Sequence, residues 1–217
     1  MQNQAIPKAS IERLTLYLRR LERLHAAGQK TLSSSALGEA LGLTDAQIRK
    51  DLTYFGQFGH PGIGYNIAEL VPKLREILGV DRAWNVALIG VGNLGRALLH
   101  YKGLREQGFE IVAVFDQDPE KVGDKVNGLI VKSTEELAFT VKNLGIELGL
   151  ICVPAEAAQD VANALAETGI KGILNFAPSS ISVPERISLC SVDLALELEQ
   201  LSFQVIRKTP DVEHRAS

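Results

Sequence analysis

The feature that most constrains this chain is a glycine-rich segment, GVGNLG, at residues 90–95. It directly follows a short apolar run, NVALIG (85–90), that predicts a buried strand, and it opens a predicted helix. In that setting G-x-G-x-x-G is typical of a dinucleotide-binding βαβ unit. Its glycines allow a tight turn, a close approach to pyrophosphate, and helix packing on the strand. We expect these residues to hold the pyrophosphate: Gly90, Val91, Gly92, Asn93, Leu94 and Gly95.

An acidic residue follows at the spacing that this motif requires. Asp116 ends the next predicted strand, 21 residues after Gly95. A carboxylate there can accept hydrogen bonds from the adenosine ribose and repels a 2′-phosphate, which predicts NAD(H) rather than NADP(H). Two alternatives stay open: Asp116 is only a turn former before Asp118-Pro119, or the loop holds another phosphate ligand such as coenzyme A.

Beyond Trp84 the chain alternates between short apolar runs and helical segments. This order predicts an α/β fold, a Rossmann-type doubly wound parallel sheet. The predicted strands are 85–90, 110–116, 147–153 and 171–176, and the predicted helices are 93–102, 119–122, 134–144 and 156–168. Ligands of such sheets lie beyond the carboxyl ends of the strands. The loops there add Val153, Pro154, Ala177 and Pro178 to the candidate cofactor-binding residues.

No group in these loops is suited to catalysis by its position. Glu156 is expected to complement a helix dipole, and the histidines at 25, 60, 100 and 214 fall in helices, a turn-rich stretch and the tail. A dehydrogenase would also bring a substrate domain, whereas the companion here is a small helical module. The sequence therefore predicts a protein that is not an enzyme, with an NAD-dependent oxidoreductase as the alternative.

The first 80 residues differ from the rest in charge. They hold 10 Lys and Arg against 7 Asp and Glu, a net charge of +3, whereas the other 137 residues carry −6. Helix patterns cover 10–27, 35–41 and the segment that starts at Thr44, where Gln47 completes a capping-box spacing. The glycine-rich stretch 56–65 predicts a hairpin or wing, and a further helix reaches Leu78. This order indicates a winged helix-turn-helix.

The second helix of such a unit enters the DNA major groove. Gln47 is suited to reading adenine, Arg49 or Lys50 to reading guanine or clamping phosphate, and Ala46 to approaching a thymine methyl group. The alternative is an ordinary solvated face of a protein-interaction module, possible wherever cations line a helix. The candidate DNA-binding residues are Ser34, Thr44, Ala46, Gln47, Arg49, Lys50, Tyr54 and His60.

The last predicted helix, 193–207, is apolar on more than one side. Leu194, Leu198, Leu201 and Val205 form one face, while other apolar residues lie off it. Such a helix requires a second partner surface. We expect the polar tail 208–217 to be disordered.

The apolar segments and the cysteines of the chain bear on the cellular compartment in which it works. No apolar run reaches the roughly 18 to 20 residues of a membrane span, and MQNQAIPKASIER lacks the apolar core of a signal peptide. Cys152 and Cys190 lie in apolar runs and are expected to be buried free thiols. We expect a cytoplasmic protein with no membrane partner.

Taken in order, these segments resemble one family, the redox-sensing transcriptional repressor Rex. The resemblance covers nearly the whole chain from Ile6 to Phe203. It rests on IPKASIERLTLYLRRLERL (6–24), TDAQIRKDLTYFGQFG (44–59), GIGYNIAEL (62–70), WNVALIGVGNLGRALLHYKG (84–103), FDQDPEKVG (115–123), VPAEAAQDVA (153–162), GIKGILNFAP (169–178) and VDLALELEQLSF (192–203).

The resemblance implies a homodimeric repressor of respiration and fermentation genes that binds palindromic double-stranded operator DNA. NADH binding would release the DNA, with NAD+ competing for the same site. The implied domains are a winged-helix DNA-binding domain (1–80), a Rossmann NAD(H)-binding domain (81–192) and a domain-swapped dimerisation helix (193–207). The resemblance also suggests a switch in which Asp193 pairs with Arg19 in one state and with Tyr101 in the other.

Overall fold

The structure is a computed structural model that describes residues 6–60 and 62–208. Its contacts divide the chain into two compact units, Met1–Ala83 and Trp84–Ser217. Within the described ranges, no helix is long and apolar enough to cross a membrane.

The first unit combines helices with a small antiparallel sheet, as the predicted winged helix-turn-helix requires. In the sheet, β3 pairs with β1 on one side and with β2 on the other. The elements are α1 (Lys8–Ala26), β1 (Thr31–Leu32), α2 (Ser34–Leu41), α3 (Asp45–Thr53), β2 (Gly59–His60), β3 (Gly64–Asn66) and α4 (Ile67–Leu78).

Side-chain caps fix where α2 and α3 begin. Ser33 Oγ accepts from the Ala36 N–H at 3.0 Å, and Thr44 Oγ1 accepts from the Gln47 N–H at 3.2 Å. Gly42 ends α2 at a φ of 67°, a left-handed conformation that glycine adopts without strain. The turn between α2 and α3 is therefore short and defined by local chemistry.

The second unit is built around a sheet that has seven strands among the described residues, in the order β10-β9-β8-β4-β5-β7-β6. Only the β6–β7 pair is antiparallel. The elements are β4 (Trp84–Ile89), α5 (Asn93–His100), α6 (Lys102–Glu106), β5 (Phe109–Asp116), β6 (Lys125–Val126), β7 (Leu129–Ser133), a 3₁₀ turn (Thr134–Glu136), α7 (Leu137–Asn143), β8 (Leu148–Ile151), α8 (Ala155–Glu167), β9 (Gly172–Asn175), β10 (Ser188–Ser191) and α9 (Leu194–Lys208). This confirms the predicted α/β fold class.

Alternate residues of β4, the central strand of this sheet, face two separate cores. Ala87 and Ile89 pack with residues of α7 and α8, whereas Val86 and Leu88 pack on the opposite side with Leu99 of α5. Burial on both faces explains why the strand is apolar throughout rather than alternating.

Several sequence predictions of local structure are wrong. Residues 119–122 form a turn instead of a helix, and the strands β6, β7 and β10 were not predicted. Cys190 is exposed because it lies on the edge strand β10, whereas Cys152 is partly buried; both thiols are free. Lys208 belongs to α9, and the rest of the predicted disordered tail, 209–217, lies outside the described residues.

Candidate dinucleotide and DNA-binding sites

A cleft of about 820 Å³ lies beyond the carboxyl ends of β4, β5 and β8. This volume is typical of a small-molecule site, which falls at roughly 300 to 1,000 Å³. The cleft brings together many of the predicted cofactor residues, namely Gly90, Gly92, Leu94, Asp116, Val153, Pro154 and Pro178. It is also lined by residues that the sequence analysis did not select, including Gln117, Asp118, Lys121, Thr134, Cys152 and Phe176.

The three glycines of the loop differ in what a side chain would meet. At Gly90, where φ is 98°, a Cβ would lie 2.6 Å from the carbonyl oxygen of Cys152. At Gly95 a Cβ would overlap the Gly90 carbonyl oxygen, so the helix can approach the loop only without one. A Cβ at Gly92 would meet no protein atom within 4 Å. Packing inside the protein therefore does not require Gly92, and its open backbone leaves room for the close approach of a ligand such as pyrophosphate.

The first turn of α5 adds hydrogen-bond donors to this loop. The helix begins at Asn93, its N-cap Gly92 offers no side-chain oxygen, and its first turn holds no acidic residue. The main-chain N–H groups of this first turn have no acceptor within the helix, and they lie at the positive end of the helix dipole. This arrangement suits the phosphates of a dinucleotide.

Asp116 is positioned by the loop that it faces. Its side chain is nearly buried, and its residue exposure is 6%. One carboxylate oxygen accepts from the Val91 N–H at 2.8 Å, and the other accepts from the Asp118 N–H at 3.0 Å. Asp116 thus forms the turn that the alternative interpretation described, while its carboxylate also lines the cleft.

Lys121 is a cleft residue that sequence reasoning missed. Its Nζ lies 3.2 Å from Asp118 and 3.4 Å from Asp116. The hydrogen bond to Asp118 raises the pKa of Lys121. Two hydrogen bonds lower the pKa of Asp118: the larger effect comes from the Glu120 N–H and the smaller from the Lys121 side chain. The i, i+3 spacing of Asp118 and Lys121 is the feature of the sequence that could have predicted this ion pair.

Asn175 holds the loop that follows β9. It is fully buried, its Nδ2 donates to the Ser179 carbonyl oxygen at 2.9 Å, and its Oδ1 accepts from the Ala177 N–H at 3.0 Å. Ala177 is itself buried and does not line the cleft, whereas Phe176 and Pro178 do. Val91 is also buried, and its contribution is the N–H bonded to Asp116.

Cys152 is not placed to act as a nucleophile. It lines the cleft, and burial raises the pKa of its thiol to about 12. The thiol therefore stays protonated at neutral pH, and a protonated thiol is a poor nucleophile.

In the first unit, the outer side of α3 presents small, polar and basic residues. Thr44, Ala46, Arg49 and Lys50 are exposed, and Tyr54 is half-buried at the C-terminal end of the helix. Only the backbone of His60 is described; it lies in β2, paired with Gly64. The structure therefore exposes most of the predicted DNA-binding residues on α3.

Arg49 is pre-positioned by two neighbours. Its Nη1 lies 2.7 Å from the Asp45 carboxylate and donates to Ser34 Oγ at 3.0 Å. The hydrogen bond from Arg49 lowers the pKa of Asp45. The guanidinium also lines a groove of about 580 Å³ that runs between α2, α3 and the glycine-rich hairpin around Phe58 and Ile63. Two predicted DNA-binding residues, Ser34 and Arg49, thus meet at one place.

Gln47 points inward in this structure. It is half-buried, and its Nε2 donates to Oδ1 of Asp51 at 2.9 Å. Bidentate recognition of adenine needs both the amide oxygen and the amide nitrogen. Adenine reading by Gln47 stays a prediction, and it requires that this side chain leave Asp51.

The three predicted switch residues lie on different elements. Arg19 is exposed on α1, and Tyr101 is 62% exposed between α5 and α6. Asp193 caps α9, since its Oδ1 accepts from the N–H groups of Ala195 at 2.9 Å and Leu196 at 3.2 Å. Their pairing stays a prediction.

The helix α9 exposes apolar side chains on more than one side of its axis. Leu194, Leu196, Leu198, Leu201, Phe203, Val205 and Ile206 are each 48% to 73% exposed. A contiguous apolar surface of this kind marks an interaction site in a soluble protein.

Known proteins share both the sequence and the arrangement. One family model, CoA binding domain, matches residues 81–179, and another, Putative DNA-binding protein N-terminus, matches residues 5–53. The redox-sensing transcriptional repressor Rex of Carboxydothermus hydrogenoformans is 47% identical over 95% of this chain and 100% of its own length.

Solved structures agree. The crystal structure of RSP in complex with beta-NAD+ and operator DNA is 37% identical, with a TM-score of 0.90 over 95% of each chain. That of RSP in complex with beta-NADH is 35% identical, with a TM-score of 0.83 over 95% of this chain and 97% of RSP. RSP is itself described as a Rex-family repressor. With identity at this level over nearly its whole length, the chain belongs to the family of redox-sensing transcriptional repressors called Rex.

Proposed function

We propose that this chain is an NADH-responsive transcriptional repressor. It binds palindromic double-stranded operator DNA through α3 and the hairpin, and it leaves the DNA when NADH enters the cleft beside GVGNLG; NAD+ competes for that cleft. The observation that carries the proposal is that one chain holds two features. One is a recognition helix with exposed basic side chains, and the other is a cleft lined by the glycine-rich loop and by Asp116. We assign residues 1–80 to DNA binding, 81–192 to NAD(H) binding and 193–207 to dimerisation.

Each part of NADH has a matching group in the cleft. The N–H groups at the start of α5, beside the open backbone of Gly92, donate hydrogen bonds to the pyrophosphate, and the Asp116 carboxylate accepts hydrogen bonds from the adenosine ribose hydroxyls. Val153, Pro154 and Pro178, from the loops after β8 and β9, line the side of the cleft toward the nicotinamide. The bound cofactor supplies redox state as a signal, and no residue need transfer a proton.

The cleft does not favour the oxidoreductase alternative. Its titratable lining residues are Asp116, Asp118, Lys121 and Cys152. The two acids are bonded to main-chain N–H groups and lie beside Lys121, and the thiol is protonated. None of them is a poised acid or base for hydride transfer to a substrate.

The protein acts as a homodimer in this proposal. The apolar side chains of α9 lie against a second copy of the chain, which explains why both faces of that helix are apolar. A dimer also matches a palindromic operator, since each half-site meets one recognition helix. Operator binding places the protein in the cytoplasm.

The test is a selection from random duplex DNA by the purified protein at one fixed salt concentration, with NAD+ or NADH present. Fixed salt matters because phosphate contacts make affinity strongly salt-dependent. The proposal expects a palindrome that is enriched with NAD+ and lost with NADH. Enrichment of no site in either condition would overturn it.

A further inference from the structure

Asp51, in the last turn of α3, is a fully buried carboxylate with an exposure of 0%. Its Oδ1 accepts hydrogen bonds from Ser10 Oγ at 3.0 Å, Arg13 Nη2 at 2.8 Å and Gln47 Nε2 at 2.9 Å. Its Oδ2 accepts from Arg13 Nε at 2.6 Å and from the Tyr17 hydroxyl at 2.7 Å. Every side-chain donor except Gln47 comes from α1.

These donors fix α3 at a defined rotation on α1. Ser10, Arg13 and Tyr17 recur at helical spacing, so they share one face of α1. Arg13 bonds both carboxylate oxygens as a planar fork, which constrains direction as well as distance.

The rotation of α3 decides which residues reach the outside. Asp51 lies on the inner face with Ile48 and Leu52, while Ala46, Arg49 and Lys50 lie on the outer face. One residue corresponds to about 100° around a helix, so a small rotation would redirect the outer side chains. Gln47 is held at the boundary between the two faces by Asp51 itself.

We propose that Asp51 is a positioning residue for DNA recognition: its ionised carboxylate locks the recognition helix α3 onto α1 and so sets which side chains meet the bases. This inference rests on the proposed function. Asp51 touches no DNA; it acts through the orientation of Ala46, Arg49 and Lys50.

The experiment compares the full-length chain with Asp51→Asn, which keeps size but removes the charge and the fork. Operator duplex, a scrambled duplex of the same length and NADH are titrated at one fixed salt concentration. Operator affinity should fall by at least about tenfold, as expected when a misdirected outer side chain loses one good contact to a base, while NADH affinity stays within about twofold. The matched control is Glu39→Gln, which removes one exposed acid of α2.

The ratio of operator to scrambled-duplex affinity separates positioning from loss of folded protein. A partly unfolded population lowers both affinities by the same factor and leaves the ratio unchanged, whereas a misaligned α3 lowers the ratio. A ratio equal to that of the wild type would overturn the inference. If Asp51→Asn does not fold, Arg13→Lys decides, because it keeps the positive charge beside Asp51 and removes the planar fork; an unchanged ratio there overturns the inference as well.

Hydrogen exchange supplies a readout that needs no DNA. Amides of 45–53 should exchange faster in Asp51→Asn, whereas amides of β4 and β5 should not change. Unchanged exchange in 45–53 would overturn the inference even if the operator is bound. Conversely, a wild-type protein that binds no operator or ignores NADH would overturn the proposed function, and the exchange data would still decide whether Asp51 locks α3.

Discussion

The carboxylate of Asp116 accepts a hydrogen bond from the Val91 main-chain N–H at 2.8 Å, so the acid that ends β5 braces the glycine-rich loop that follows β4. The same carboxylate lines the cleft. Loop geometry and ribose recognition therefore depend on one side chain, and this relationship leads to the first prediction.

Asp116→Asn should lower NADH affinity by about 10-fold or more. It removes the charged acceptor for the ribose hydroxyls, and its amide has only one oxygen to serve both the Val91 N–H and the Asp118 N–H. It should also narrow the preference for NADH over NADPH, since the carboxylate no longer repels a 2′-phosphate beside Lys121. Calorimetric titration with both cofactors measures this. Glu120→Gln, an exposed neighbour, is the control with the same charge change; unaltered NADH affinity in Asp116→Asn would contradict the assignment.

Asp193→Ser should weaken the effect of NADH on operator binding while NADH binding stays within about twofold. Serine keeps an N-cap oxygen for α9 but lacks the charge and reach to pair with Arg19 or Tyr101. Asp193→Ala is less informative, because it also removes the cap at a cost of about 1 kcal/mol. Operator titrations with and without NADH provide the measurement, and Glu197→Gln on the same helix is the control. Full NADH-induced release from Asp193→Ser would rule out the switch.

Leu198→Asp combined with Leu201→Asp should convert the dimer to a monomer, because it places two charges in the apolar face of α9. Both side chains are exposed in the single chain, so the fold of the protomer should remain. Light scattering reports the mass in solution. Gln200→Glu with Gln204→Glu adds the same charge to α9 at positions outside its apolar residues and should stay dimeric. A dimeric Leu198 and Leu201 variant would disprove the role of α9.

Acid should weaken the first unit through Asp51. Burial raises the pKa of Asp51, but hydrogen bonds from Arg13, Tyr17 and Ser10 outweigh burial and bring it from 3.8 down to about 2. A lowered pKa stabilises the folded state above pH 3.8, and this contribution, about 2 kcal/mol, disappears as pH falls through 2. The difference in unfolding free energy between wild type and Asp51→Asn should therefore shrink from pH 5 to about pH 2. Urea titrations across that range measure it, with Glu39→Gln, which removes one exposed acid of α2, as the matched control; a constant difference would show that the charge of Asp51 does not matter.

Local sequence signals were enough where chemistry acts over a few residues. Thr44 and Gln47 predicted the start of α3, and the spacing of Gly90, Gly95 and Asp116 predicted the cleft. The sequence Asn127-Gly128 is typical of a two-residue hairpin turn and could have predicted the hairpin of β6 and β7. It forms that turn in the structure, with φ values of 49° and 87°. The strand β10 offered little local signal, since SLCS is only four residues long, only half apolar and at the edge of the sheet.

Long-range contacts could not be predicted in this way. Asp51 lies between charged and apolar residues of an amphipathic helix, and its partners on α1 are 34 to 41 residues earlier in the chain. Nothing in its local pattern distinguishes a buried acceptor from a solvated acid. The hydrogen bond from Gln47 to Asp51 has a local i, i+4 spacing, but its inward direction depends on the burial of Asp51, which this spacing does not reveal.

The central claim, that NADH and operator DNA oppose each other in one protein, is tested most directly by measuring NADH affinity with and without saturating operator duplex at one salt concentration. Linkage requires that DNA weaken NADH binding by the same factor by which NADH weakens DNA binding. We predict equal factors, both well above one. The same NADH affinity with and without operator would contradict the account.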